Sequence, residues 1–341
     1  MRSRLSRRDL LLGSAIAAGA LAAGCGTRSG AASTDTFTAA FQGSGAAESI
    51  DPGVASLFID EARMKAVYDG LFEIDHTMAP VPRLAASSEP NADGTRWRIA
   101  LRDTHWHDGK KFTSRDVLYT LARVLGPPQR SPFIAAATLA QVDLSQCRAV
   151  GDRTVEIALR TPSFEFPLAL SAYGTKIVQD GATDFSKPVG TGPFVFESFE
   201  AGRQFTARVS EKYWDGAPAI HHLRLVSADA DARLSAVQSG QIDYADNLTP
   251  SAARVLRGRA GISVRSTPNS GIYFFAMKTD RPPFDNPDVR RAVMRMVDRD
   301  ELVKVALEGD GEVGNDVFGK GISTTPNCLS TPTTPTRRAA C

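Results

Sequence analysis

Cysteine is scarce: four in 341 residues, at positions 25, 147, 328 and 341. That number and spacing do not build a disulfide-stapled domain. Cys147 stands alone in the body of the chain and reads as a small packing residue, not a nucleophile. Histidine is nearly as scarce, at five. His105 and His107 would share one face of a strand, and His221 neighbours His222. Neither pair is joined by cysteines and carboxylates at ligand spacing, so a metal centre is not indicated. The chain contains no Gly-x-Ser-x-Gly, no His-Glu-x-x-His and no Cys/His pairing, which removes the common hydrolase signatures. Gly314 to Gly321 approaches a phosphate loop but ends on Gly321, where a hydroxyl for Mg²⁺ is required. Excess charge is also lacking. The net charge of +2 includes leader arginines, which leaves the body near neutral and gives no basic face for nucleic acid.

A long apolar run is missing as well. Leu10 to Ala23 is shorter than the roughly 20 strongly apolar residues of a spanning helix, and alanine and glycine dilute it. A basic start before a short apolar core is the pattern of an export leader. Arg7 and Arg8 in Ser-Arg-Arg-Asp-Leu-Leu resemble a twin-arginine signal. Leu21-Ala-Ala-Gly-Cys25 resembles a lipoprotein box, which implies that Cys25 becomes the first mature residue and carries lipid. Acyl chains add about 0.8 kcal/mol per buried CH₂, so several of them anchor stably. Residues 1–24 are therefore expected to be a signal peptide and 25–35 a polar tether. The expected location is the outer face of the cytoplasmic membrane or the periplasmic space.

What is present is ordinary globular material, 42% hydrophobic and 23% charged. Residues 36–42 alternate as a strand should. Residues 56–75 read as a helix ending near Tyr68, a turn at Asp69-Gly70 and a strand. Trp97, Ile99 and Leu101 alternate with arginines. Asp108-Gly109 signals a hairpin turn. Thr113 or Ser114 begins a helix with Val117, Leu118, Leu121, Val124 and Leu125 at helical spacing. Further on, 154–161 reads as a strand, 192–211 as a hairpin, 222–227 as a strand, and 228–248 as helix, glycine stop and short strand. Residues 261–279 read as two extended segments. Residues 286–309 read as a long helix with a break near Asp298. Interspersed strands and helices predict a mixed α/β architecture.

Five segments, in order, resemble the bacterial family 5 extracellular solute-binding proteins, the peptide- and nickel-type receptors of ABC importers. They are Tyr68-Asp-Gly-Leu-Phe-Glu-Ile-Asp75, the block around His107-Asp-Gly109, the block from Val189 to Leu225 with Gly190-Thr-Gly-Pro193 and Tyr213-Trp-Asp-Gly216, Ala232 to Asp243, and Phe284 to Val303. The resemblance implies a bilobed fold of the class II periplasmic-binding-protein type, which closes on a ligand by hinge motion. It implies a first-lobe core at 36–60 and 187–268, an inserted subdomain at 61–186, the start of a second lobe at 269–322, and an irregular tail at 323–341. Family members run longer, so the second lobe is expected to be incomplete. The Thr- and Pro-rich tail is expected to reflect a shifted reading frame.

The resemblance also supplies site candidates. In peptide-binding relatives the segment after an Asp-Pro pair lines the ligand, which places Ser56, Leu57 and Phe58 after Asp51-Pro52 as candidates. Leu57 and Phe58 alternatively start a helix and pack in the core. Asn247 and Tyr273 are further candidates, and Tyr273 alternatively packs as a core strand residue. Lys278 stands where relatives usually carry Asn. The acidic residue that holds a ligand's amino terminus in relatives has no counterpart here. The implied partners are a peptide or small-molecule ligand, ABC permease subunits, and the membrane through the lipid anchor. No cofactor, no enzymatic activity and a monomeric state are expected. The alternatives are a cofactor-dependent enzyme exported by the twin-arginine route and a surface scaffold lipoprotein.

Overall fold

The computed structural model describes residues 35–54, 57–126, 133–266 and 273–314. Arg7, Arg8, Cys25, Ser56 and the tail at 323–341 lie outside the described residues. So does the phosphate-loop lookalike beyond Gly314.

The chain enters through strand β1 (Thr36–Phe41). Helix α1 (Phe58–Val67) follows and stops at Tyr68, whose backbone N–H donates to Met64 O at 2.7 Å. Next come strands β2 (Phe72–Ile74), β3 (Pro80–Pro82), β4 (Ala85–Pro90) and β5 (Arg96–Leu101). Trp97, Ile99 and Leu101 of β5 are all buried, as the alternation predicts. The Asp108-Gly109 turn joins paired His105 and Lys111, with Gly109 at φ +85°. Helix α2 (Ser114–Leu125) is capped by Thr113, whose N–H donates to the Asp116 carboxylate at 2.7 Å. It buries Val117, Leu121 and Val124. Strands β6 (Arg148–Ala149) and β7 (Thr154–Ala158) complete a four-stranded sheet in the order β4-β5-β7-β6.

The chain then returns to the first sheet. Strands β8 (Phe194–Glu200), β9 (Gln204–Val209) and β10 (His222–Ser227) form an antiparallel ribbon. Helix α3 (Ala230–Gln238) ends at Gly240, φ +70°, and leads to β11 (Tyr244–Ala245). The sheet order is β11-β1-β10-β9-β8. β1 lies parallel to both β10 and β11, so the connection through α3 passes over β1. Helix α4 (Pro250–Leu256) closes this unit.

Each sheet carries its own apolar core. One runs from Leu71 to Ile177 and includes Trp97, Trp106, Phe112, Leu121 and Phe166. The other joins Ala39, Phe205, Ala207 and Leu225 of the first sheet to Met64 and Val67 of α1 and to Tyr68 just after it, with Val178 and Phe185 packed there too. The packing of 61–186 is therefore divided. α1 and 178–186 pack with the first sheet, because α1 lays its Met64–Val67 face on it.

Two helices follow, α5 (Pro287–Met296) and α6 (Arg299–Ala306). Asp298 breaks the run, as expected, by capping α6: its carboxylate accepts from Glu301 N–H at 3.0 Å. Neither helix has a buried residue. Ion pairs from Arg254 to Glu308, at 3.1 Å, and from Arg257 to Asp310 tie this end back to α4. Residues 273–278, expected to be extended strand, carry no strand assignment. Among the described residues no neighbouring strand pairs with them, so no ladder holds them as a strand.

Candidate ligand-binding edge and the motif clasp

In an open α/β sheet, ligands bind outside the carboxyl ends of parallel strands, where the chain order reverses. Here that position is the shared end of β1, β10 and β11. Ala228 N–H donates to Phe41 O and Asp246 N–H to Ala40 O, both at 2.9 Å, so the three strand ends are held together. Behind them sits the buried guanidinium of Arg233. Its Nη1 donates to Ala228 O at 2.6 Å and its Nη2 to Asn247 O at 3.3 Å. That grip holds Asn247 at φ +46°, a conformation tolerated best by Asn, Asp and Gly.

An aromatic pair lies on this edge. Tyr244 is 45% exposed, with its ring 5.8 Å from that of Phe41. Its hydroxyl donates to the Asp246 carboxylate at 3.2 Å. Burial pushes the Asp246 carboxyl up, against the opposing pull of the Tyr244 hydroxyl and the Arg233 charge. Tyr173 is 42% exposed. Burial raises its phenol, helped by the carboxylates of Glu61 and Asp246. Glu61 lies one turn along α1 from Phe58, which is 60% exposed. Burial also raises the Glu61 carboxyl, despite the Lys176 ammonium 3.6 Å away.

The candidates separate accordingly. Phe58 is exposed, which corrects the alternative that it packs in the core. Leu57 is half-buried and donates its N–H to Asp60 as the cap of α1. Asn247 sits on the strand edge. Tyr273 is 89% exposed, so its core alternative is also overturned. Among the described residues no ring contact joins Tyr273 to the edge. Tyr173, Tyr244 and Asp246 were not foreseen. Tyr244 and Asp246 fall in a short stretch after the Gly240 stop, and that is a readable signal for a strand end. Tyr173 carries no such signal.

A second buried network fixes the loop after β1. The Glu48 carboxylate accepts from Arg63 at 2.5 Å, Ser227 Oγ at 2.7 Å and Gly202 N–H at 3.1 Å. Burial pushes Glu48 up, but the bonds from Ser227 and Arg63 outweigh it and hold the carboxyl below its ordinary value. Arg63 also stacks on Phe199 at 4.9 Å. An arginine at helical spacing from Ile59 and Val67 on an otherwise apolar face is the sequence sign of this burial.

The four glycine-containing motifs converge on the seam between the two cores. The buried carboxylate of Asp69 accepts from Trp214 Nε1 at 2.9 Å, Tyr213 hydroxyl at 3.0 Å and Thr191 hydroxyl at 3.2 Å. Arg83 donates to the Tyr213 hydroxyl at 2.6 Å and lies over Trp214. Burial nevertheless raises the Asp69 carboxyl above its ordinary value. Gly192 N–H donates to Val67 O at 2.8 Å, and a Cβ on Gly190 would fall 1.7 Å from that same oxygen. His107 clasps the strap through three bonds. Its backbone N–H donates to Gly190 O at 2.8 Å, its Nδ1 accepts from Gly190 N–H at 3.3 Å, and its Nε2 meets Gly192 O at 2.9 Å. This arrangement requires the neutral ring with the proton on Nε2. His107 is therefore a structural bond, not a metal ligand, and among the described residues no cluster of potential metal ligands occurs. Cys147 is half-buried, accepting from Ala158 N–H and donating to Asp143 O, with burial raising its thiol.

The mixed sheet with a parallel switch point and an aromatic carboxyl edge is the architecture of periplasmic binding proteins. The chain belongs to the bacterial extracellular solute-binding proteins, family 5, whose Middle-region model matches residues 79–335. It is 28% identical over 270 residues to a glutathione-binding protein of Pectobacterium atrosepticum, covering 76% of this chain and 52% of that one. It is 27% identical over 291 residues to di/tripeptide-binding protein 2 of Pseudomonas aeruginosa, covering 77% and 54%. A nickel ABC transporter structure from Bacillus halodurans superposes with a TM-score of 0.70 at 28% identity, covering 88% of this chain and 61% of that one. The chain thus spans about half the length of the curated relatives it matches. The family consists of solute-binding proteins of transport systems. Among the described residues, no helix is long and apolar enough to cross a membrane.

Proposed function

We propose that this chain is the extracytoplasmic receptor of an ABC importer, which captures a peptide or a similarly small solute and delivers it to the permease. The observation that carries this reading is the strand edge itself. Tyr244 stays half-exposed at the carboxyl ends of the parallel strands, with its ring against Phe41 and its hydroxyl on Asp246. Backbone groups at strand ends offer hydrogen bonds to a peptide main chain, and aromatic faces tolerate varied side chains. The names of the relatives, which bind glutathione and di- or tripeptides, favour a short peptide.

The same reading takes residues 1–24 as a twin-arginine export signal and Cys25 as the lipid attachment point. A monomer held at the outer face of the cytoplasmic membrane would present its cargo to the permease at high effective concentration.

Titration calorimetry on the full chain tests this with dipeptides, tripeptides, glutathione and a nickel–histidine complex. Saturable binding of a peptide, weakened about tenfold in Tyr244→Ala, is the expected result. Absence of binding across all four ligand sets contradicts the proposal. Metabolic labelling with palmitate, lost in Cys25→Ala, tests the anchor.

A further inference from the structure

Helix α3 buries one residue, and that residue is an arginine. Leu234 and Val237 of the same helix are only half-buried, while Arg233 is 2% exposed. Burying a guanidinium is costly, and a carboxylate partner ordinarily offsets the cost. Among the described residues Arg233 forms no ion pair. It donates instead to two neutral carbonyls, Ala228 O at 2.6 Å and Asn247 O at 3.3 Å, and its Nε has no partner. The nearby Asp229 is occupied as the cap of α3, accepting from Ala232 N–H at 2.8 Å. The start of a helix also disfavours a cation. These contacts are a poor way to stabilise a core, but they fix a geometry. Ala228 follows β10 and Asn247 follows β11, on opposite sides of β1. One planar guanidinium therefore spans two chain ends at a set separation.

We infer that Arg233 is a positioning residue for solute recognition: it touches no solute, and it holds the Asp246–Asn247 corner and the end of β10 at the spacing that a solute meets. This rests on the receptor reading above. The corner is where recognition groups gather. Asn247 is kept at φ +46°, and the adjacent Asp246 carboxylate accepts from the Tyr244 hydroxyl at 3.2 Å. The guanidinium also acts on the corner through its charge. Burial pushes the Asp246 carboxyl up, while the Tyr244 hydroxyl, the Arg233 charge and the Asn247 N–H pull it down. The Tyr173 phenol is the further titratable group coupled to Asp246. A corner held in place before the solute arrives has less to order on binding, which is the general source of affinity through preorganisation.

Two variants of the full chain separate the span from the charge. Arg233→Met removes both, and Arg233→Lys keeps the charge on a single ammonium that cannot serve both carbonyls. Trp214→Phe is the control, a weakened clasp away from the edge. Calorimetry uses alanyl-phenylalanine, trialanine, glutathione and nickel–histidine. Carboxyl ¹³C NMR titration of Asp246 without ligand supplies a readout that lost stability alone would not move. Both Arg233 variants should bind the parent's ligand about tenfold more weakly, the scale of ordering one or two side chains on binding. Trp214→Phe should bind as the parent does. The Asp246 midpoint should rise in Arg233→Met and stay in place in Arg233→Lys. If Arg233→Met fails to fold, Arg233→Lys decides alone through its affinity. Parent-like binding in the Arg233 variants overturns the inference and leaves the receptor reading standing. Equal weakening in Trp214→Phe, or an unmoved Asp246 midpoint in a folded Arg233→Met, overturns it as well. A parent that binds none of the four ligands overturns the receptor reading, and this inference with it.

Discussion

The indole Nε1 of Trp214 donates to the carboxylate of Asp69 at 2.9 Å, across 145 residues of chain. Each residue belongs to a motif on which the resemblance to the family rests, and neither lies on the strand edge. The hallmark motifs of this chain are therefore structural: they clasp one apolar core to the other. Trp214→Phe keeps the ring but leaves a buried carboxylate short of a donor. It is expected to cost about 2 kcal/mol, read as a lower urea midpoint with an unchanged slope.

The glycine strap beneath that clasp should be less forgiving. Gly190→Ala places a methyl 1.7 Å from Val67 O, a backbone atom that cannot swing aside. The expected loss is about 3 kcal/mol, read by thermal denaturation. Gly109→Ala, where a Cβ meets nothing within 4 Å, is strained only by its φ of +85° and should cost about 1 kcal/mol.

His107 predicts a pH dependence. Burial holds its ring below the ordinary value of about 6.5, with Arg208 adding to the depression while Gly192 O and Asp108 oppose it. The unfolded chain then binds the proton more readily than the folded one. Stability from this group is fully present above about pH 6.5 and is lost as pH falls from there through the lower folded value. Urea melts at pH 7.5 and 5.5 should show the loss, and His107→Gln should flatten it over that interval.

The Arg63–Glu48 pair is buried on both sides. Arg63→Ala strands the Glu48 carboxylate and should cost about 3–5 kcal/mol by chemical denaturation. Arg63→Lys should recover little, because one ammonium cannot serve Glu48, Asp60 and the Phe199 face together.

Phe58→Ala and Tyr244→Ala act on the opposite kind of position. Both rings are exposed, so each change should move stability by less than about 0.5 kcal/mol. Weakened solute binding without a shifted melt would separate the recognition edge from the clasp.

Local order was legible in the sequence wherever near neighbours decide it. Alternation placed β1, β5, β7 and the β8–β9 hairpin. Helical spacing placed α1 and α2, and Asp298 announced the break before α6. The ordered motifs named the family. Only the tertiary structure decided what those motifs do. The hydrogen-bond donors to the Asp69 carboxylate lie 122 to 145 residues away, and the Ser227 donor to Glu48 lies 179 away. Chain periodicity carries no trace of such distances. Strand order and the shared end of β1, β10 and β11 arise when remote segments meet. Burial then fixes which polar groups find a partner, and that depends on packing in three dimensions, not on spacing along the chain.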